Sequence, residues 1–99
     1  MLEVEITIPP HLKPASVPDA VERVCADFGL ERVSLGTLAS YPGCVHWHYK
    51  QGKQGGTLEI TWWEPRLWIK VAAGRSADWI MECIPQIKRA IEEFEPRVV

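Results

Sequence analysis

The segment TLEITWWEPRLWIKVAA, residues 57–73, decides the fold, because it contains two alternating runs on either side of Glu64 and Pro65. In both runs every second residue is Leu, Ile, Val or Trp, which is the period-two pattern of a half-buried β-strand. Proline withholds a backbone donor, so it fits the turn between two strands better than the interior of either strand. The segment therefore predicts an antiparallel hairpin with strands at 57–64 and 66–73.

Three further strands are predicted outside this hairpin. Residues 44–50, CVHWHYK, alternate in the same way and are joined to the hairpin by the glycine-rich loop 51–56, which is typical of a hairpin connection. Residues 2–8 and 31–39 also alternate, and Gly36 predicts a bulge or a close backbone approach in the second of these runs. The last three strands of the chain are expected to be consecutive antiparallel neighbours.

Apolar residues recur at helical spacing in two other segments. The first predicts a helix over about 18–28, with Ser16 as a candidate N-cap and Gly29 able to close the last turn. The second begins after Ser76, a candidate cap, forms an apolar stripe from Ile80 to Phe94 and is expected to end at Pro96. Pro85 lies inside this second pattern, so a kink or two abutting helices are predicted there.

The predicted order of elements is β-α-β-β-β-β-α. With 99 residues, the chain is long enough for one core, so we expect a single domain over residues 1–99. The order predicts an α+β fold with a mostly antiparallel sheet. Both helices are expected on one face of the sheet, which leaves the other face open or covered by a partner.

Composition excludes several functional classes. The formal net charge is −2, so no domain-wide field attracts nucleic acid, and general nucleic-acid binding is disfavoured. No apolar run approaches the roughly 20 residues of a membrane span, and no signal peptide is evident, so we expect a cytoplasmic protein without membrane contact. The three cysteines form no C-x-x-C pair, which predicts reduced thiols and not a disulfide framework.

Alternation assigns the strand residues to two faces without an exact register, because cross-strand neighbours share a face. The core face is expected to pack against the helices and collects Val45, Trp47, Tyr49, Leu58, Ile60, Trp62, Leu67, Ile69 and Val71. We call the opposite side the second face, and it collects Cys44, His46, His48, Lys50, Glu59, Thr61, Trp63, Arg66, Trp68 and Lys70.

A solvated sheet face rarely carries two tryptophans, so we expect something to cover the second face. The leading hypothesis is a non-enzymatic interaction module that binds a protein partner or a second copy of the chain. Alternative covers are the first strand, the linker 9–17 or the C-terminus of the chain itself. The candidate binding residues are His46, His48, Glu59, Thr61, Trp63, Arg66, Trp68 and Lys70.

Nucleic acid is a weaker partner hypothesis for the same face. A single strand could stack on Trp63 and Trp68. Its phosphates would need the surrounding cations Lys50, Lys53, Arg66 and Lys70. The slight net acidity of the chain argues against this alternative.

A metal site is the second hypothesis for function. Cys44, His46 and His48 occupy alternate positions of one strand, hence one face, with neighbours about 6.5–7 Å apart. Thiolate and imidazole suit zinc or copper, but one strand cannot surround an ion, so Glu59 or His11 would have to complete the set. The sequence contains no nucleotide-binding, nucleophile-elbow or H-E-x-x-H motif, so no cofactor and no catalytic residue is predicted.

From Asp19 onward, the predicted order of a helix, three or four antiparallel strands and a helix resembles the double-stranded-RNA-binding domain in topology. That family presents a basic cluster at the start of its last helix. Residues 74–79, GRSADW, hold one arginine and one aspartate at that place. The resemblance therefore implies no function and no site residues for this chain.

Overall fold

The computed structural model describes residues 1–95 and contains a five-stranded sheet with two helices on one side. The predicted α+β class and order of elements are confirmed. Neither helix of this part of the chain is long and apolar enough to cross a membrane. In chain order the elements are β1 (Leu2–Ile6), a short 3-10 turn (Pro14–Ser16), α1 (Val17–Asp27), β2 (Glu31–Gly36), β3 (Val45–Lys50), β4 (Leu58–Trp63), β5 (Arg66–Val71) and α2 (Asp78–Glu92).

The strands follow the order β1-β5-β4-β3-β2, and every neighbouring pair is antiparallel. The four strands β2 to β5 are therefore neighbours in sequence order, as short antiparallel connections favour. The first strand, β1, lies at the edge beside β5. It extends the sheet and does not cover a face.

The register confirms the division of side chains between the two faces. Residues directly opposite one another on neighbouring strands point to the same side of the sheet. One such row on the core face consists of Trp47, Ile60 and Ile69, and the corresponding row on the second face consists of His46, Thr61 and Trp68.

The core lies between the two helices and the core face. Two buried indoles connect this core to polar partners at its margin. The Nε1–H of Trp47 donates to Glu22 Oε2 on α1 at 3.0 Å, and the Nε1–H of Trp79 donates to the carbonyl oxygen of Gly55 at 2.7 Å. The largest fully buried side chains include Trp47, Leu58, Ile60, Leu67, Ile69, Ile80, Ile87 and Ile91.

The predicted end of the first helix is confirmed, and its predicted cap is wrong. Gly29 adopts a φ of 74°, and the amides of Gly29 and Leu30 donate to the carbonyls of Ala26 and Cys25, which is the Schellman arrangement. Ser16 makes no side-chain capping bond, because its backbone is itself in the right-handed helical region at the end of the 3-10 turn. An N-cap hydroxyl reaches the first turn from an extended backbone.

The second helix begins later than predicted and is not divided. Ala77, with extended φ and ψ, is its N-cap, so Ser76 lies one residue outside the helix and the prediction that it caps α2 is wrong. Pro85 lies within one helix, which excludes two abutting helices. Its side chain is exposed, so the ring does not enter the core and water can reach the carbonyl that proline leaves unpaired.

The bulge in β2 lies at Val33 and not at Gly36. The register with β3 shifts between Arg32 and Ser34, whereas Gly36 pairs directly with His46. Bulges are frequent on edge strands, and β2 is an edge of this sheet. The alternative of a close backbone approach at Gly36 is also wrong, because an added Cβ would meet no atom within 4 Å. The glycine instead leaves no side chain beside His46.

Candidate metal centre

Part of the second face is covered by the loop 37–44, which connects β2 and β3. The ring of Tyr41 lies 4.9 Å from that of Trp63 and 5.2 Å from that of Trp68 between centroids. The Nε1–H of Trp63 donates to the carbonyl oxygen of Pro42 at 3.1 Å. As a result Trp68 is only 3% exposed, whereas Trp63 is 37% exposed.

Two of the covers considered from the sequence, the linker 9–17 and the first strand, do not lie over the second face. The linker 9–17 runs on the helix side, where a ring nitrogen of His11 lies 2.8 Å from the carbonyl oxygen of Phe94 and Leu12 is part of the core. The strand β1 contributes only a flanking contact, because Glu5 forms an ion pair with Arg66, whose guanidinium lies 4.5 Å from the Trp68 ring centroid. The end of the chain, 96–99, lies outside the described residues.

Beside this aromatic part of the second face, His46, His48 and Glu59 converge. His46 Nε2 lies 3.0 Å from His48 Nε2 and 3.2 Å from Glu59 Oε1, and His48 Nε2 lies 3.6 Å from the same oxygen. The side chains of His46 and Glu59 are 8% and 12% exposed, and that of His48 is 30% exposed. The three atoms thus form a partly buried triangle that is open to solvent on the side of His48.

The strand register explains why these three residues meet. His46 and His48 are alternate residues of β3, so both point to the second face. Glu59 pairs with His48 across β3 and β4, and Thr61 pairs with His46 in the same way. The carboxylate and the hydroxyl therefore lie beside the two imidazoles as a direct result of the antiparallel pairing.

Thr61 fixes the orientation of His46. The Nδ1 of His46 and the Oγ1 of Thr61 are 2.8 Å apart, and Thr61 is buried. When Nδ1–H donates to this oxygen, the lone pair of Nε2 is directed at His48 and Glu59. An oxygen that accepts from the second ring nitrogen is the usual support of a histidine that binds a metal through the first.

Burial also keeps His46 in the form that binds metals. Desolvation lowers the pKa of His46 below its ordinary value of 6.5, and the positive charges that His48 and Lys70 can carry act in the same direction. The carboxylate of Glu59 opposes this effect and does not reverse it. His46 is therefore a neutral imidazole at pH 7, and neutral imidazole is the ligand form.

The triangle has the size of a coordination face. Zinc bonds to nitrogen and oxygen are about 2.0–2.1 Å long, so the ligand atoms of a tetrahedral zinc are about 3.3–3.4 Å apart. The three observed separations of 3.0, 3.2 and 3.6 Å lie on both sides of this value. Within residues 1–95, one group of at least three His, Cys, Asp or Glu residues has ligand atoms close enough to share an ion, and it is this one.

The converging group differs from the predicted ligand set of Cys44, His46 and His48. The Sγ of Cys44 accepts a hydrogen bond from the Leu38 amide at 3.3 Å, at the base of the loop 37–44, and Cys44 is not a member of the converging group. His11 is remote from it, at the carbonyl of Phe94. Glu59, which the sequence suggested only as an additional ligand, takes the third position.

The other candidate residues surround this centre without joining it. Lys70 pairs with Glu59 on the neighbouring strand. Arg66, Trp63 and Trp68 belong to the aromatic part of the face covered by the loop 37–44. The ammonium of Lys50 donates to the carbonyl oxygen of Gly56, and Lys53 is exposed in the loop 51–56.

A hydrogen-bonded histidine pair is the alternative to a metal centre. A single proton between the two Nε2 atoms would also hold them at 3.0 Å. The two arrangements differ in what they bind, because the hydrogen-bonded pair takes up no ion.

No protein-family model matches the sequence, and no curated protein or solved structure is detectably similar to the chain, so the interpretation of this centre depends on its geometry.

Proposed function

We propose that the protein binds a divalent transition-metal ion through His46 Nε2, His48 Nε2 and Glu59 Oε1, with zinc as the preferred ion. The observation that carries this proposal is the triangle of three ligand atoms separated by 3.0, 3.2 and 3.6 Å. The buried hydroxyl of Thr61 behind His46 supports it, because it orients the ring for binding through Nε2.

The donor set favours zinc among the available ions. Two imidazoles and one carboxylate form a familiar three-ligand zinc site that keeps its fourth position for water or another ligand. The same donors on one face of an octahedron suit ferrous iron. Magnesium and calcium prefer oxygen ligands throughout, so this site discriminates against them.

Metal analysis and titration test the proposal directly. Protein purified without a metal-affinity tag is analysed for bound elements, and the metal-free protein is titrated with zinc and with ferrous iron by calorimetry. We expect one zinc ion per chain. Zinc binding should be lost in His46→Ala, His48→Ala and Glu59→Gln, and should weaken about 10- to 100-fold in Thr61→Val.

Two matched variants serve as controls. His11→Ala removes a histidine outside the centre, and Cys44→Ala removes the thiol that the sequence had placed in the ligand set. Both should bind zinc as the unchanged chain does. A folded wild-type protein that binds no transition metal would leave only the hydrogen-bonded histidine pair and overturn the proposal.

A second candidate function is binding of a protein partner or a second copy by the part of the second face that the loop 37–44 leaves open. Its support is Trp63, which is 37% exposed at the turn of the β4–β5 hairpin, opposite Arg66. Light scattering of the wild type and Trp63→Ala tests self-association. An assembly that dissociates in the variant supports this function, and a wild type that is monomeric at all concentrations leaves no role for a second copy.

The cysteines support a reducing compartment, and on this basis we propose a cytoplasmic location for the protein. All three are buried and free. Burial raises the pKa of Cys25 to about 12 and that of Cys83 to about 11, so neither is a ready thiolate at neutral pH. Protein isolated from its own cells under alkylating, denaturing conditions should carry three alkyl groups by intact mass, and a chain with a disulfide would contradict the assignment.

A further inference from the structure

The surroundings of the candidate metal centre are asymmetric. On the β2 side, His46 is paired with Gly36 and His48 with the exposed Ser34. A Cβ at Gly36 would meet no atom within 4 Å, so this side holds open space. On the β5 side, Glu59 is paired with Lys70. An ion bound to the three ligand atoms would thus have space on one flank and a cation on the other.

Charge decides what can occupy the fourth position of such an ion. A divalent metal bound by the single carboxylate of Glu59 retains one positive charge. Lys70 adds a second, because it is the cross-strand neighbour of Glu59 on the same face of the sheet. In the described part of the chain Lys70 forms no ion pair, although Glu3 lies opposite it on β1.

We propose that the metal's outward position binds a dianionic phosphate group, which Lys70 holds by a second, charge-assisted contact. This inference rests on the proposed metal-binding function. The residual charge of the metal and the ammonium of Lys70, which Glu3 offsets only in part, match a phosphate dianion better than a monoanion such as acetate. The open space over Gly36 and Ser34 offers a path for the organic part of a phosphomonoester, whereas inorganic phosphate would fill only the position beside Lys70.

Cobalt provides the readout, because its visible absorption reports its coordination. The cobalt-loaded protein is titrated with inorganic phosphate, phenyl phosphate and acetate at constant ionic strength. We expect both phosphates to change the cobalt spectrum at concentrations at least about 10-fold lower than acetate. The titration with phenyl phosphate tests whether the space over β2 admits the organic group of a phosphate ester.

Charge variants assign the role of Lys70. Lys70→Gln should still bind one cobalt ion, because Lys70 is not a ligand, and should bind phosphate about 10-fold more weakly. Glu3→Gln, which removes the opposing carboxylate, should bind phosphate more tightly. Lys53→Gln is the control, since this exposed lysine lies in the loop 51–56, and it should behave as the wild type does.

The outcomes separate the two proposals. A protein that acquires no cobalt spectrum contradicts metal binding itself. A cobalt protein whose spectrum does not respond to phosphate overturns the phosphate inference and leaves metal binding intact. A response that is equal in wild type and Lys70→Gln also overturns the inference, because the second contact would then be absent.

Discussion

The Nε2 atoms of His46 and His48 lie 3.0 Å apart, although alternate residues of a strand have Cα atoms about 6.5–7 Å apart. The two rings meet edge to face, with centroids 4.9 Å apart and planes at 78°, so each directs the same nitrogen at a common point. Glu59 Oε1 completes this point from the neighbouring strand. Three potential acceptors that face one another require a proton or a metal ion between them. The proposed function assigns a metal ion to this point, and a shared proton is its alternative.

Zinc should stabilise the folded protein, because the triangle exists only when β3 and β4 are paired. At a free zinc concentration 100 times the dissociation constant, the free energy of unfolding should rise by about 2.7 kcal/mol. Urea denaturation with zinc and with a chelator measures this increment. Glu59→Gln should lose it, and Cys44→Ala should retain it even if the variant is less stable. An increment that survives in Glu59→Gln would show that zinc binds elsewhere.

Gly56 should be the least replaceable glycine of the loop 51–56. Its φ is 91°, and an added Cβ would lie 2.9 Å from Ala77 Cβ, from the Arg75 carbonyl oxygen and from Ile80 Cδ1. We expect Gly56→Ala to destabilise the protein by about 2–4 kcal/mol, measured by urea denaturation. Gly55→Ala is the matched control, since nothing lies within 4 Å of its Cβ position, and its effect should stay within about 1 kcal/mol.

The sequence predicted the sheet well because the signal for a strand is local. Alternation over a few residues assigns each side chain to a face, and pairing across an antiparallel hairpin preserves this assignment. The position of Trp47 in the core and of His46 and His48 on the opposite side followed from this argument alone. Predicting that His48 and Glu59 lie side by side required the strand register as well. For this reason Glu59 was only an additional candidate among the predicted metal ligands.

The features that sequence reasoning missed depend on the loop 37–44. No periodicity in the sequence states which way a connection between two strands folds back over a sheet. The loop places Tyr41 against Trp68 and buries it, so less of the second face is open than the alternation implied. The same loop explains Cys44, whose Sγ accepts from the Leu38 amide and is not a member of the group formed by His46, His48 and Glu59.

Pro85 should destabilise α2 without contributing to the packing of the core. It lies in the interior of the helix with an exposed side chain, where it removes one backbone hydrogen bond to the preceding turn. We expect Pro85→Ala to raise the free energy of unfolding by about 1–2 kcal/mol. Gln86→Ala, at the next exposed position, should change it by less than about 0.5 kcal/mol. A loss of stability in Pro85→Ala would instead mean that the packing of α2 requires the geometry imposed by proline.

The stability of the protein in acid should depend on Glu92, which joins the end of α2 to the residue after β1. Its Oε2 accepts from Lys88 Nζ at 2.6 Å and from the Thr7 amide at 2.8 Å, and these contacts, Lys88 first, lower the pKa of Glu92 below its ordinary value of 4.5. Because the folded state binds this proton more weakly than the unfolded state, the stabilisation is complete above pH 4.5 and is lost as the pH falls through the lowered pKa. Glu92→Gln should therefore lower the free energy of unfolding by about 0.5–1 kcal/mol at pH 7, a value reduced by partial solvent screening.

Urea denaturation from pH 7 to pH 3 measures this loss of stability. The loss in Glu92→Gln should shrink in the acid range, whereas Glu93→Gln, in the exposed pair with Arg89, should show almost no loss at any pH. A deficit of Glu92→Gln that persists unchanged in acid would exclude the charge of Glu92 as its cause.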